Sequence, residues 1–208
     1  MPDYLRQKRL RLLVHKINQE RKRQAKKVDI LCGDLIGAHR EIIRKTAVLV
    51  FTAEFYRSII TIRNLDELFD ITRTFIENEI HDTKTVFFIR KSDSFDMFTQ
   101  NSEYNKPHKR SLEGFFTDEI VSSILKASHL CSLEEMMNMG LQIVPTMLKG
   151  LSAYAIPLSS CGNVIGFILI YRVSDNKIES EDVETISAVS NGLADAIMSC
   201  QPAFSKSQ

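Results

Sequence analysis

Four cysteines (Cys32, Cys131, Cys161, Cys200) and five histidines (His15, His39, His81, His108, His129) are the residues here that could do thiol, metal or proton-transfer chemistry. Their spacing argues against it. No two cysteines form a Cys-x-x-Cys pair, which speaks against a structural zinc site and a disulfide framework and leaves reduced thiols as the expectation. No two histidines stand at metal-ligand spacing, no Gly-rich phosphate loop follows a strand, and no Ser or Cys nucleophile motif occurs. The sequence therefore predicts a protein without a catalytic or metal centre, one that is not an enzyme.

Such a chain must work by binding, and its composition says what kinds of surface it offers. With 208 residues, 44% of them apolar, there is material for one ordinary domain plus an additional element. No run approaches the length of a membrane span and the first thirty residues are charged throughout, so a cytoplasmic location is expected. The net charge of +1 hides an asymmetry: residues 1–27 hold ten Lys or Arg against two carboxylates, a local balance of +8, which leaves −7 for the remainder. Those cations could contact a nucleic acid or an anionic membrane surface. They are expected to surround the helix instead of forming a stripe, and no helix-turn-helix signature or aromatic interleaving accompanies them. The solvated end of a coiled coil is the preferred reading, with nucleic acid not expected as a partner.

From Leu10 onward apolar residues recur at alternating spacings of four and three: Leu10, Val14, Ile17, then Val28, Leu31, Leu35, Ala38, Ile42 and Leu49. This is a heptad seam, interrupted where Arg21, Gln24 and Lys45 occupy its slots. No proline lies between Pro2 and Pro107, so residues 1–61 are predicted to form one long helix, roughly 85 Å if unbroken. A stripe of that length needs a partner. The simplest is the same helix of a second chain, giving a homodimer through Val28, Leu31, Leu35, Ala38, Ile42 and Leu49; the alternative is an antiparallel hairpin folded near Gly33.

Residues 62–200 read as a separate domain, followed by a flexible tail over 201–208. Asn64 caps a helix that buries Leu65, Leu68, Ile71, Thr72, Phe75 and Ile76. A hairpin follows, Thr85–Arg90 and Phe95–Thr99 joined through Ser92–Ser94, then a polar surface loop over 100–113. Short helices open after Thr117 and at Ser132-Leu133-Glu134-Glu135, a capping box. A second hairpin runs from Ala153 to Tyr171, with Pro157 at an edge or bulge, and a last helix runs from Ser180 with Ile186, Val189, Leu193 and Ile197 on one face. This order predicts an α+β fold, an antiparallel sheet with helices covering one face.

Ala155-Ile156-Pro157-Leu158, the turn, Val164 to Leu169, the acidic start Ile178 to Val183 and the helix Ile186 to Ile197 together resemble the C-terminal half of GAF domains. From 64 to 150 the resemblance is one of element order only, and it does not extend to the N-terminal helix. It implies a sensory or regulatory domain acting as a dimer in cytoplasmic signalling. In that family a small ligand (a cyclic nucleotide, a tetrapyrrole, an amino acid) is held between the sheet and the short helices, or the domain serves assembly alone. The corresponding walls here are Phe88, Phe98, Phe115, Phe116, Ile124, Met147 and Tyr154. Asn176-Lys177, Ile178 and Asp182 overlay part of a cyclic-nucleotide motif, with Ile178 and Val183 standing where Phe and Glu are expected; a polar turn and a capped helix account for them better. Tetrapyrrole attachment would need Cys131 or Cys161 facing the cavity, and methionine sulfoxide reduction, known in some GAF proteins, would need grouped cysteines. The sequence names no cofactor, no ligand and no output partner. The runner-up function is nucleic-acid binding or scaffolding through the basic helix, with the domain serving only assembly.

Overall fold

The computed structural model describes residues 2–91, 94–99 and 112–200, apart from the side chains of residues 2–5 and 146. The expected loop around Pro107 and His108, most of the Ser92–Ser94 turn and the tail 201–208 lie outside the described residues. The chain divides into two units, Met1–Leu49 and Val50–Gln208.

The first unit is helical. Helix α1 (Pro2–Ile59) passes through Gly33 and Gly37 without a break, so no hairpin forms there. The seam residues are solvent-exposed, from Val14 at 54% to Leu35 at 70%, and Ala38 is exposed with them. Glu41 pairs with Arg44 at 3.0 Å and Lys45 at 3.4 Å, and the Arg44 hydrogen bond leads in holding its carboxyl below the usual range.

The second unit begins earlier than the expected boundary at residue 62. Phe51, Phe55 and Ile59 repeat every four residues, a spacing that drifts off the heptad, and all three are buried in the domain core. Helix α2 (Leu65–Glu79) starts as predicted, with Asn64 Oδ1 accepting from the Asp66 amide at 2.9 Å. Its buried residues include Phe69 and Arg73, which the pattern did not single out, while Leu65, Ile71 and Phe75 are only partly buried. The helix packs on two sides: Phe69 stacks on Phe87 of the sheet at 4.7 Å, and Phe75 meets Phe51 at 5.1 Å.

Strands β1 (Lys84–Lys91) and β2 (Ser94–Phe98) form the first hairpin. A 3-10 turn (Leu112–Phe115), α3 (Asp118–Ala127), the two-residue β3 (Cys131–Ser132), α4 (Leu133–Asn138) and α5 (Pro145–Leu148) follow. Strands β4 (Leu151–Ser160) and β5 (Asn163–Val173) form the second hairpin, and α6 (Ser180–Cys200) closes the described chain. The strands make one antiparallel sheet in the order β2-β1-β5-β4-β3. Pro157 lies past the end of β3, one residue from an irregularity between Leu158 and Ser159.

The hairpin turn is tighter than predicted, because Cys161 (φ 49°) and Gly162 (φ 81°) alone make it as a type I′ turn. Gly166 in β5 lies opposite Ile89, where a Cβ would run into the Phe88 carbonyl oxygen and stand 3.1 Å from Ile89 Cα. Only glycine allows β1 and β5 to pair this closely.

Helices cover both faces of the sheet, not one. Phe87, Ile89, Ile156, Leu158, Ile168 and Ile170 point toward α2, α6 and the end of α1. Their neighbours Val86, Phe88, Ala155, Phe167, Leu169 and Tyr171 point toward α3, α4 and Leu112. The sequence carries the signal, since Val86–Ile89 and Gly166–Tyr171 are unbroken buried runs, as strands covered on both faces require.

Candidate ligand site

The seven candidate wall residues do not converge. Phe88 stacks on Phe167 at 4.7 Å with their planes 15° apart, Phe116 covers Phe88 at 5.2 Å, and Ile124 is buried in the same cluster. Here the space between sheet and short helices is filled by the protein's own aromatic rings. Phe98 and Tyr154 are on the opposite face: Phe98 packs on Phe69 at 4.4 Å, and Tyr154 joins the cluster of α2 and α6. Register explains this. Phe98 pairs with Phe87, one residue from Phe88, and Tyr154 pairs with Ile170, three residues from Phe167; an odd number of steps along a strand changes the face. Met147 is half-buried on α5. Phe115 lines an open cavity.

That cavity is a groove of about 830 Å³ between the 3-10 turn, α3 and the segment after α4. Phe115, Ile120, Met139, Ile143 and Val144 supply apolar wall; Thr117, Ser123 and Gln142 supply polar groups, and Glu119 is the one charged lining residue among those described. Local chemistry fixes its rims. Ser132 Oγ accepts from the Glu135 amide at 3.4 Å while Glu135 Oε2 accepts from the Ser132 amide at 2.7 Å, the predicted capping box, and the Ser132 amide, then its hydroxyl, hold the Glu135 carboxyl below its usual range. Helix α4 ends as Gly140 turns to φ 109° and Leu141 N donates to Met136 O, which directs residues 142–145 along the groove. On the other rim, Tyr171 Oη donates to Glu113 Oε2 at 2.6 Å. Burial, then Glu113, push the phenol far above its ordinary pKa, so it remains a hydrogen-bond donor. Apart from Phe115 the groove residues carry no aromatic signal in the sequence; the capping box at Ser132 and Pro145 are the local signals that bracket the wall from Met139 to Val144. A smaller cavity of about 380 Å³ is lined by Arg90, Phe95, Ser122, Leu125, Lys126 and Asn163.

The remaining chemistry-bearing residues are kept apart. Cys131 is buried on the α3–α4 face, and burial raises its thiol pKa, with Glu135 adding to the effect. Cys200 packs on the opposite face, Cys161 is at the exposed hairpin turn and Cys32 lies in the N-terminal unit. A resolving pair cannot form from these positions within the domain. Ile178 is buried, its amide donates to Ser152 Oγ at 3.2 Å, and Asp182 accepts from the Glu179 amide at 3.4 Å, so the partial cyclic-nucleotide pattern does structural work at the start of α6. No group of three His, Cys, Asp or Glu among the described residues could hold a metal. No described helix is long and apolar enough to cross a membrane.

The sequence matches no protein-family model and no curated protein. Solved structures do match the fold. The GAF domain of an Acinetobacter phosphoenolpyruvate-protein phosphotransferase is 11% identical, with a TM-score of 0.54 over 72% of this chain and 92% of that one. The corresponding domain from Coxiella burnetii gives 0.54 at 11% identity over 73% and 92%. Residues 122 to 287 of a methyl-accepting chemotaxis protein give 0.52 at 13% identity over 70% and 96%. The chain is similar to these in architecture, and its fold is GAF-like, with a long N-terminal helix.

Proposed function

We propose that this chain is a non-catalytic sensory or regulatory module that acts as a homodimer, paired through the seam of α1. The observation that carries the reading is that one helix holds both an exposed apolar seam, from Val28 to Leu49, and the buried residues Phe51, Phe55 and Ile59 of a GAF-like core. A second copy is the simplest cover for the seam. The architecture is shared with domains of a chemotaxis receptor and of phosphotransferases, which supports a role in cytoplasmic signal transduction.

The groove beside Phe115 is the ligand site of this proposal. Its apolar walls, two hydroxyls, one amide and one carboxylate suit a small molecule that is neutral or cationic, not an anion. A ligand preferring one placement of α3 and the 142–145 segment would bias the sheet they rest on. The joint from Ile59 to Asn64 would pass that bias to the paired helices as rotation or register change, and a separate partner protein would read it.

Native mass spectrometry of the chain purified from its host tests this. A dimer retaining a small molecule supports both halves of the proposal. An empty dimer moves the role from sensing to assembly, and a chain that stays monomeric at high micromolar concentration removes the basis of the signalling mechanism.

A further inference from the structure

Mapped onto α1 at about 100° per residue, the cations of the N-terminal unit do not surround the helix as the sequence reading expected. Lys8, Arg9, Arg11 and Lys16 fall within one sector about 160° wide. Lys22, Arg23, Lys26 and Lys27 return to the same sector, while Leu10, Val14 and Ile17 stand on the other side with the seam. Arg6 and Arg21 are the two that fall on the seam side. The one carboxylate between residues 6 and 27, Glu20, falls just outside the cationic sector, four residues from Lys16; Leu12 lies within it, as do His15 and Gln19, whose side chains hydrogen-bond each other at 3.1 Å.

The sector itself holds eight cations and no carboxylate. A solvated coiled-coil surface alternates its charges, as residues 41–45 of the same unit do where Glu41 pairs with Arg44 and Lys45. None of the eight cations of the sector has an ion pair among the described residues. Like charges one turn apart, Lys22 with Lys26 and Arg23 with Lys27, oppose the helix until an anion screens them.

We infer that this face binds the phosphate backbone of a nucleic-acid duplex. Lys8 to Lys27 span about 29 Å of straight helix, roughly the length of eight base pairs, along which a duplex presents a dense row of phosphates. A lipid surface fits less well, because an interfacial helix sinks its apolar side into the membrane, and here that side continues the seam from which the cations point away. Contacts of this kind read no bases, so the binding is sequence-independent and salt-dependent. The inference does not rest on the ligand groove; its preference for a duplex over a lipid surface rests on pairing of the seam.

Fluorescence anisotropy of the full chain with a labelled mixed-sequence DNA duplex tests it, alongside vesicles containing phosphatidylserine. Affinity for the duplex is expected to fall at least about 100-fold as salt rises from about 50 to 200 mM. Replacing Lys22, Arg23, Lys26 and Lys27 together by Gln is expected to reduce the log–log salt slope by about three to four. The charge-preserving set Lys22→Arg, Lys26→Arg and Lys27→Arg keeps the wild-type affinity within a few-fold, which separates charge from folding. Absence of duplex binding at low salt, binding that survives the Gln set, equal loss in the Arg set, or tighter binding to the vesicles would each overturn the assignment.

Discussion

Tyr171 on β5 and Glu113 in the 3-10 turn, 58 residues apart, share a hydrogen bond of 2.6 Å in which the buried phenol donates to the half-buried carboxyl. This bond ties one rim of the groove to the centre of the sheet. Tyr171→Phe keeps the ring and removes the tie, and because Glu113 can regain water the loss should be about 1 to 1.5 kcal/mol in urea unfolding near neutral pH. The pH dependence has a definite sign. The phenol's folded pKa lies above its unfolded value, so its stabilisation is fully present below about pH 10 and is lost as pH rises beyond that. The stability gap between wild type and Tyr171→Phe should therefore narrow in alkali. A gap that widened above pH 10 would contradict the assigned donor.

Gly166 gives a sharper test of the β1–β5 pairing. A methyl group at this position meets the Phe88 carbonyl oxygen and Ile89 Cα, backbone atoms that cannot swing aside. Gly166→Ala should destabilise the domain by about 2 to 3 kcal/mol, well beyond the usual effect of adding one methyl. At Gly162 nothing lies within 4 Å and only the positive φ opposes a side chain, so Gly162→Ala should cost about 1 kcal/mol. Comparable losses in thermal unfolding would mean that the strands sit farther apart than described.

The type I′ turn carries a residue poorly suited to it. Cys161 holds φ 49°, a conformation that Asn adopts far more readily, and the Asn-Gly pair is the favoured sequence for this turn. Cys161→Asn should stabilise the hairpin by about 0.5 kcal/mol and remove a reactive exposed thiol. Labelling by a small thiol reagent should correspondingly drop by one fast site, with the buried Cys131 remaining slow. If the variant is less stable, the left-handed turn is not what limits this position.

Elements with a local chemical signature were legible in the sequence: the cap at Asn64, the box from Ser132 to Glu135, and the apolar face Ile186, Val189, Leu193, Ile197, all buried. What escaped depends on tertiary partners. The domain boundary moved because Phe51 and Phe55 acquire meaning only from Phe75, which they meet edge-on or tilted at 5.1 and 5.5 Å. Phe98 and Tyr154 were placed in the pocket because residue type does not reveal strand register, and a single step of register decides the face. The cationic face of α1 was visible in principle. On a continuous helix at about 100° per residue, Lys8 and Lys26 fall at the same angle although 18 residues separate them.

Lys45 occupies a seam slot between Ile42 and Leu49, its side chain 70% exposed and paired with Glu41 at 3.4 Å. If two copies pair along the seam, this ammonium lies beside its counterpart or beside apolar neighbours, and either placement weakens the dimer. Lys45→Leu should then tighten dimerisation at least about tenfold, since burying a leucine contributes about 1.5 to 3 kcal/mol per chain. The lost exposed ion pair is a small offset, because Arg44 still holds Glu41 at 3.0 Å. Leu35→Glu, in the uninterrupted part of the seam, should do the reverse and yield monomers whose core unfolds at the wild-type temperature. Sedimentation equilibrium distinguishes the cases: a dissociation constant indifferent to both substitutions would place any interface elsewhere and leave the seam of α1 to another partner.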